Sequence, residues 1–272
     1  MSIVSAFLVP GSPLPYVCRD NPPWGVMAQA LETAGKALLA SGPDTIVVYS
    51  TQWVAVLDQL WQTRPHLQGG HVDENWHEYG QLPFDIHVDT QLTAACIEAT
   101  NDIGLKARDV DYDQFPVDTG TIVAAAFLNP ENQLPMAMTS NNVYHDWQMT
   151  EKLGLVATTQ AAQLDRKIAV VGVGGLSGSF FRKEIDIAED RIAVESEDQW
   201  NRKILALIEG GDVEELLRVC PDYAAAAKVD MGFKHLAFIL GALGGGYASA
   251  TVHGYGPLYG AGGAVIEFVP NT

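Results

Sequence analysis

Metal and acid–base chemistry at neutral pH falls most often to histidine, and the chain has seven: His66, His71, His77, His87, His145, His235 and His253. None stands in a helical metal-binding spacing such as His-Glu-x-x-His. His66, His71 and His77 share one polar stretch, where they are either divalent-cation ligands or ordinary solvated side chains. His87 alternates with Ile86 and Val88, the pattern of a strand surface. His145-Asp146 is either a base oriented by a carboxylate or an ordinary hydrogen-bonded neighbour pair. Asp230 and Lys234, just before His235, have the i,i+4 spacing of a helical ion pair. The run Gly172-Val173-Gly174-Gly175-Leu176-Ser177-Gly178 follows a predicted strand, where backbone N–H groups can cradle phosphate. It matches neither a dinucleotide fingerprint nor a P-loop. Asp118-Thr119-Gly120 is the tripeptide of aspartic proteases, but it occurs once and in the wrong fold class. Cys18, Cys96 and Cys220 are scattered and odd in number, which reads as three reduced thiols.

The elements that position these residues follow from hydrophobic patterning. Ile3–Val9 is a short apolar run closed by Pro10-Gly11-Ser12-Pro13, a buried strand ending in a loop. Val26–Leu39 places Met27, Leu31, Ala34 and Leu38 at helical spacing, and Ser41-Gly42-Pro43 stops it. Thr45–Tyr49, with Ile46, Val47 and Val48 in a row, is a second buried strand. Strand, helix, strand within fifty residues is a βαβ unit. Pro135–Thr139 and Lys167–Val173 are expected strands with a helix, Met149–Leu164, between them. Ser196–Ile208, Val213–Val219 and Gly232–Leu243 are expected helices, the last ending in the Gly241–Gly246 run as a C-terminal cap. Gly263–Val269 is an expected last strand. Residues 62–90, rich in Trp, His and Gly, read as a long excursion. No linker or repeat divides the chain, so one α/β domain over residues 1–272 is expected, its central sheet flanked by helices. In such folds ligands sit in the loops after strand ends, here Pro10–Pro15, Ser50–Trp53, Val117–Gly120 and Gly172–Arg182.

Composition excludes several classes. The 272 residues are 47% hydrophobic, enough for a large core. A formal charge of −17 argues against a nucleic-acid or anionic-membrane partner. The start, Met-Ser-Ile-Val-Ser-Ala-Phe, is a poor signal peptide. The longest apolar run, Leu236–Leu243, is too short to span a bilayer. A cytoplasmic location is expected.

The same loops resemble those of the type II extradiol dioxygenases, the family of protocatechuate 4,5-dioxygenase. These enzymes hold Fe(II) through two histidines and a glutamate, with open positions for substrate and O2, and use further histidines for proton transfer and substrate binding. The family's first strand ends in a Ser/Pro-His-x-Pro pattern; here it ends Val9-Pro10-Gly11-Ser12-Pro13, with Gly11 in the histidine's place. Its second strand ends in a Ser-Pro-His-Trp pattern; here Ser50-Thr51-Gln52-Trp53 puts Gln52 there. The mid-chain Asp-His-Gly-Thr motif is Asp118-Thr119-Gly120-Thr121, with Thr119 for histidine. The Gly-Gly-Leu-Ser-His motif is Gly174-Gly175-Leu176-Ser177-Gly178, with Gly178 for histidine. The family's glutamate lies on a late helix before a Gly-Ala stretch. Gly232–Leu243 resembles that helix but contains no glutamate, and Asp230, Lys234 and His235 are its nearest polar residues.

Within the four motifs most flanking residues are kept, and the histidine of each is missing. The resemblance therefore implies a chain with no metal ligands, no bound cofactor and no catalytic residues of its own: Gly11 and Gln52 replace the two iron-binding histidines, Thr119 the substrate-binding one and Gly178 the acid/base, and glycine offers no side chain while Gln and Thr are poor ligands for Fe(II). One branch of the family, the aminophenol ring-openers, is built from two homologous subunits, of which one carries the iron. The resemblance to the iron-free chain implies a catalytic β-type partner that holds Fe(II), and an α2β2 heterotetramer. Three alternatives stay open. An active metal enzyme could use relocated ligands such as His145, His235 and Asp230. The pocket could bind an aromatic molecule without turning it over. Or the chain could be an unrelated homo-oligomeric α/β protein.

Overall fold

The computed structural model describes residues 2–271. In chain order the elements are β1 (Ile3–Val9), α1 (Leu14–Val17), α2 (Pro22–Ala40), β2 (Thr45–Ala55), β3 (Gln59–Gln62), β4 (His66–His71), β5 (Leu82–His87), α3 (Thr90–Asp102), β6 (Ala107–Val110), α4 (Thr119–Leu128), β7 (Met136–Asn142), α5 (Trp147–Gln163), β8 (Ile168–Val173), α6 (Glu195–Gly210), α7 (Val213–Ala226), α8 (Lys234–Ala242), β9 (Ser249–Leu258) and β10 (Ala261–Val269). One mixed sheet has the order β6-β3-β7-β2-β8-β1-β10-β9, and β4 and β5 form a separate hairpin.

The apolar runs explain the centre of the sheet. On β1, Ala6 and Leu8 face one core while Phe7 and Val9 face the other; on β2, Val47 and Tyr49 oppose Ile46 and Val48. With both faces covered, such strands are apolar throughout rather than alternating. One face carries α3, α5 and α8, with α6 and α7 toward the β9–β10 edge; the other carries α2, α4 and the β4–β5 hairpin. Strands β7, β2, β8 and β1 run parallel, so their C-terminal ends open on the same side. Val173 at the end of β8 pairs with Val9 on one side and Ser50 on the other. That register brings Gly11 and Gln52, each two residues further on, to the same level. The β2–β7 register shifts between Tyr49 and Val54, an irregularity of the kind that re-aims side chains next to sites.

Against α5, helix α8 packs backbone to backbone. A Cβ on Gly154 would lie 2.1 Å from the Phe238 carbonyl oxygen, and one on Gly241 would lie 2.0 Å from that of Glu151. Glycine is used at this crossing for close approach.

Most expected elements are present and several are longer. The second strand continues to Ala55, and the helix expected to begin at Val26 begins at Pro22, where two prolines suit a helix's first turn. The helix expected at Val213–Val219 runs through Pro221 to Ala226. The excursion at 62–90 holds the β4–β5 hairpin, whose Leu67, Leu82 and Ile86 plug into the core.

Candidate functional site

Beyond the parallel strand ends lies a cavity of about 830 Å³. Its walls include Gly11 after β1, Gln52 on β2, Gly175 and Gly178 after β8, and Asp230 before α8. Three of the four positions where the family resemblance places a histidine therefore share one cavity. The fourth, Thr119 at the start of α4, reaches it indirectly: its hydroxyl donates to Asp73 Oδ2 at 2.7 Å, and Asp73 lines the cavity.

Gly11 and Gln52 touch. Gln52 Nε2 donates to the Gly11 carbonyl at 3.2 Å, and a Cβ on Gly11 would meet that nitrogen at 2.9 Å. Nearby, Asp118 caps α4 by accepting from the Thr121 N–H at 3.0 Å, and its other contacts are the hydroxyls of Ser50 and Thr121 at 2.6 and 2.7 Å. Its role is that of a helix N-cap, not of a protease carboxylate. On the opposite wall, Gly178 is closed by backbone: its N–H donates to Ala227, and a Cβ there would lie 2.4 Å from the Lys228 carbonyl oxygen. The Ser177 hydroxyl accepts from the Gly262 N–H at 3.0 Å and from Asn201 Nδ2 at 2.9 Å, which fixes the glycine-rich loop to β10 and α6.

Two further glycines of that run are explained by α8. A Cβ on Gly172 would meet the His235 carbonyl at 2.5 Å, and one on Gly174 would meet His235 Nδ1 at 2.6 Å. The run makes room for a helix, a structural use in place of a phosphate cradle.

Asp230 is a carboxylate tied to both β2 and the loop after β8. Its Oδ2 accepts from the Thr51 hydroxyl at 2.6 Å and from the Gly175 N–H at 3.1 Å. The expected Asp230–Lys234 ion pair does not form. Met231, Gly232 and Phe233 have φ of 44°, 68° and 68°, so the backbone turns left-handed between them and no continuous helix sets the i,i+4 spacing. Lys234 Nζ instead donates to the Asn142 carbonyl at 2.9 Å, and burial lowers its pKa. His235 is fully buried with no protein partner on either ring nitrogen, and burial pulls its pKa down to about 4. His145 titrates low, first through burial and then through Lys234, and its neighbour Asp146 caps α5. Among the described residues, His145, His235 and Asp230 do not converge as a ligand group.

Patterning did not single out the remaining walls. Asp73, Asn75, Trp76 and Glu78 come from the segment joining β4 to β5, and Tyr259 from the β9–β10 turn. Tyr259 has φ 57° and Gly260 φ 89°, the left-handed pair of a tight hairpin. Asp190 holds that turn by accepting from both N–H groups and from the indole of Trp24. The Tyr259 ring stands edge-on to Trp76 at 5.1 Å. The clustering of Trp and Gly in the excursion was the one signal for this wall.

A family model described as the catalytic LigB subunit of aromatic ring-opening dioxygenase matches residues 7–267. The chain belongs to this family. It is 49% identical, over 98% of its length and 99% of the relative's, to a 2-aminophenol 1,6-dioxygenase alpha subunit from Pseudomonas sp. It is 26% identical to the corresponding beta subunit from Pseudomonas sp, over 98% of this chain and 93% of that one. A crystal structure of an uncharacterized Escherichia coli K12 protein has the same fold, with a TM-score of 0.67 at 14% identity over 97% of this chain and 99% of that one.

Members of this family imply Fe(II), and the residues at the strand ends do not fit it. The site needs two imidazoles and a carboxylate facing open positions. Here Gln52 supplies an amide, Gly11 and Gly178 supply no side chain, and Asp230 Oδ2 is engaged by Thr51 and Gly175.

Proposed function

We propose that this chain is the non-catalytic, metal-free subunit of a heteromeric dioxygenase that opens the ring of 2-aminophenol. The Fe(II) belongs to a homologous catalytic partner, and the assembly is an α2β2 heterotetramer in the cytoplasm. In the partner, O2 adds across the aromatic ring to give 2-aminomuconate semialdehyde, with both oxygen atoms kept in the product. The observation that carries this reading is the cavity itself. The strand ends of a ring-opening dioxygenase are kept in register, yet Gly11, Gln52, Thr119 and Gly178 stand where the resemblance places histidines, and no imidazole lines the cavity. The relative named an alpha subunit, at nearly half identity over the whole chain, supports the same assignment. Among the described residues, no helix is long and apolar enough to cross a membrane, consistent with a cytoplasmic place of work.

Loss of even an outer-shell partner costs a metal site about 10–100-fold in affinity or activity, so loss of the ligands themselves leaves this chain no iron chemistry. Its contribution is to bury an apolar face of the catalytic partner, since obligate interfaces bury roughly 2,000–5,000 Å² and the partner then lacks a stable folded state alone.

The test is iron content and 2-aminophenol turnover for this chain alone, the catalytic partner alone, and the two co-expressed. No iron and no turnover in this chain, with full activity only in the mixed assembly, supports the proposal. Bound iron and turnover in this chain alone sink it, as does a partner that is soluble and fully active by itself.

A second reading is favoured by the cavity's volume and aromatic walls. About 300–1,000 Å³ is the usual range for small-molecule sites, and Trp76, Phe180 and Tyr259 offer ring faces. On this reading the chain holds an aromatic molecule without converting it. Saturable binding of 2-aminophenol, unchanged by added Fe(II), would distinguish it from a purely structural role.

A further inference from the structure

At the base of the β4–β5 hairpin, away from the cavity, three metal-competent side chains meet. His66 and His87 are directly opposite in the antiparallel register, and their rings stack at 4.5 Å with 20° between planes. Asp85 lies two residues before His87, on the same face of β5. One ligand atom each from His66, Asp85 and His87 lie within 4.8 Å of one another. We propose that His66, Asp85 and His87 form a surface site for a borderline divalent transition-metal ion of the Zn2+ class, which clips the hairpin closed.

The chemistry of the donor set selects the ion. Zn2+ takes imidazole nitrogen and carboxylate oxygen at about 2.0–2.2 Å in a tetrahedron. Two imidazoles and one carboxylate supply three corners, and the outward face of the hairpin leaves the fourth to water. Hard ions such as Mg2+ and Ca2+ want an all-oxygen shell instead. The pair is also preorganised. Cross-strand partners hold their Cβ atoms about 4.5–5.5 Å apart whatever their side chains do, so the backbone fixes the reach of both imidazoles. Asn132, from the loop after α4, orients the rest: its Nδ2 donates to Asp85 Oδ1 at 2.8 Å and its Oδ1 accepts from the His87 N–H at 3.2 Å.

At present His66 Nε2 and Asp85 Oδ1 share a hydrogen bond of 2.9 Å. Metal binding replaces that bond with one bond from each group to the ion, and the neutral imidazole keeps its proton on the ring nitrogen that faces away from the metal. A second cluster at the hairpin's other end, His71, Asp73 and Glu74, is also within reach of one ion. It is the weaker candidate: the Asp73 oxygens are held by the backbone N–H groups of Asn75 and Trp76 and by the buried Thr119 hydroxyl, whereas both Asp85 oxygens accept only from surface side chains, those of His66, Gln68 and Asn132, which can turn aside.

The experiment is calorimetric titration of the chelator-treated full-length chain with ZnCl2. One ion per chain is expected. Losing a ligand costs more than losing an outer partner, itself worth about 10–100-fold, so His66→Ala and His87→Ala are each expected to weaken binding at least about 100-fold. His71→Ala should leave the affinity unchanged. All three side chains are half-buried or exposed, and circular dichroism verifies that each variant is folded. No heat of binding up to millimolar zinc, unchanged affinity in His87→Ala, or lost affinity in His71→Ala would each overturn the assignment.

Discussion

Glycine does two different jobs in two regions of this molecule. At the α5–α8 crossing, Gly154 and Gly241 let two helix backbones touch, and any side chain there would meet a carbonyl oxygen at about 2 Å. At the strand ends, glycine stands where the family resemblance expects a histidine, and the two cases differ from each other. Gly178 faces the backbone of Lys228, whereas Gly11 faces the far end of the Gln52 side chain. A side chain at 178 would thus meet fixed backbone, while one at 11 would meet a movable neighbour.

The largest expected effect breaks or keeps the first half of that comparison. Helix propensity alone makes Gly241→Ala stabilising by about 1 kcal/mol. The 2.0 Å approach to the Glu151 carbonyl predicts the opposite sign. Overpacking costs about 1–3 kcal/mol and occasionally more, and because the contact is backbone on backbone the upper end is expected. At about 2–4 °C per kcal/mol, thermal melting should show a fall of roughly 6 °C or more. A rise in melting temperature would mean that the helices part easily.

A pH series on His235, which sits on α8 against Gly174, joins the two regions. Its folded pKa is about 4 because burial disfavours the imidazolium. An unfolded histidine titrates near 6.5, so between about pH 6.5 and 4 the unfolded chain binds a proton that the folded chain refuses, and stability falls as pH falls. One proton corresponds to about 1.4 kcal/mol per pH unit within that window. His235→Leu should flatten the dependence of unfolding free energy on pH by up to that slope. An identical slope in both proteins would show that the ring titrates normally.

Much of the fold was legible because β1, β2 and β8 are buried on both faces and spell this out as unbroken apolar runs. α4 was not, because Thr119–Leu128 is apolar nearly all round and shows no helical period. β3 and β6 have four residues each, too short for a pattern, and β9 carries Gly254, Gly256 and Pro257 in its interior. The cavity's strand-end residues were legible through their motifs. Its outer wall was not, because Trp76 and Tyr259 converge only through two hairpins whose tertiary placement local sequence does not encode. The Asp230–Lys234 pair failed for a related reason. Spacing implies contact only within one continuous helix, and three left-handed residues interrupt it.

Gly178→Ala tests the second half of the comparison. With the Lys228 carbonyl 2.4 Å from the new Cβ, a cost of about 1–3 kcal/mol is expected, somewhat below that at the helix crossing because a loop yields more readily than two packed helices. Denaturant unfolding should show a lower midpoint with an unchanged slope.

Gly11→Ala is the smallest effect and the sharpest discriminator. The new Cβ meets Gln52 Nε2 at 2.9 Å and Cδ at 3.0 Å, the movable end of a side chain that can swing into the cavity. What is lost is the Gln52–Gly11 hydrogen bond, worth about 0.5–1.5 kcal/mol, partly offset by the reduced freedom of the unfolded chain, about 0.4–1 kcal/mol. The net change should lie within about 1 kcal/mol, and Gly11→Ala combined with Gln52→Ala should be no worse than Gln52→Ala alone. If Gly11→Ala instead costs as much as Gly178→Ala, both positions are closed by backbone, because the tighter constraint is then the Gly120 Cα at 3.2 Å rather than Gln52. In that case the strand ends have repacked around the missing imidazoles as a unit, and no single substitution could reopen them.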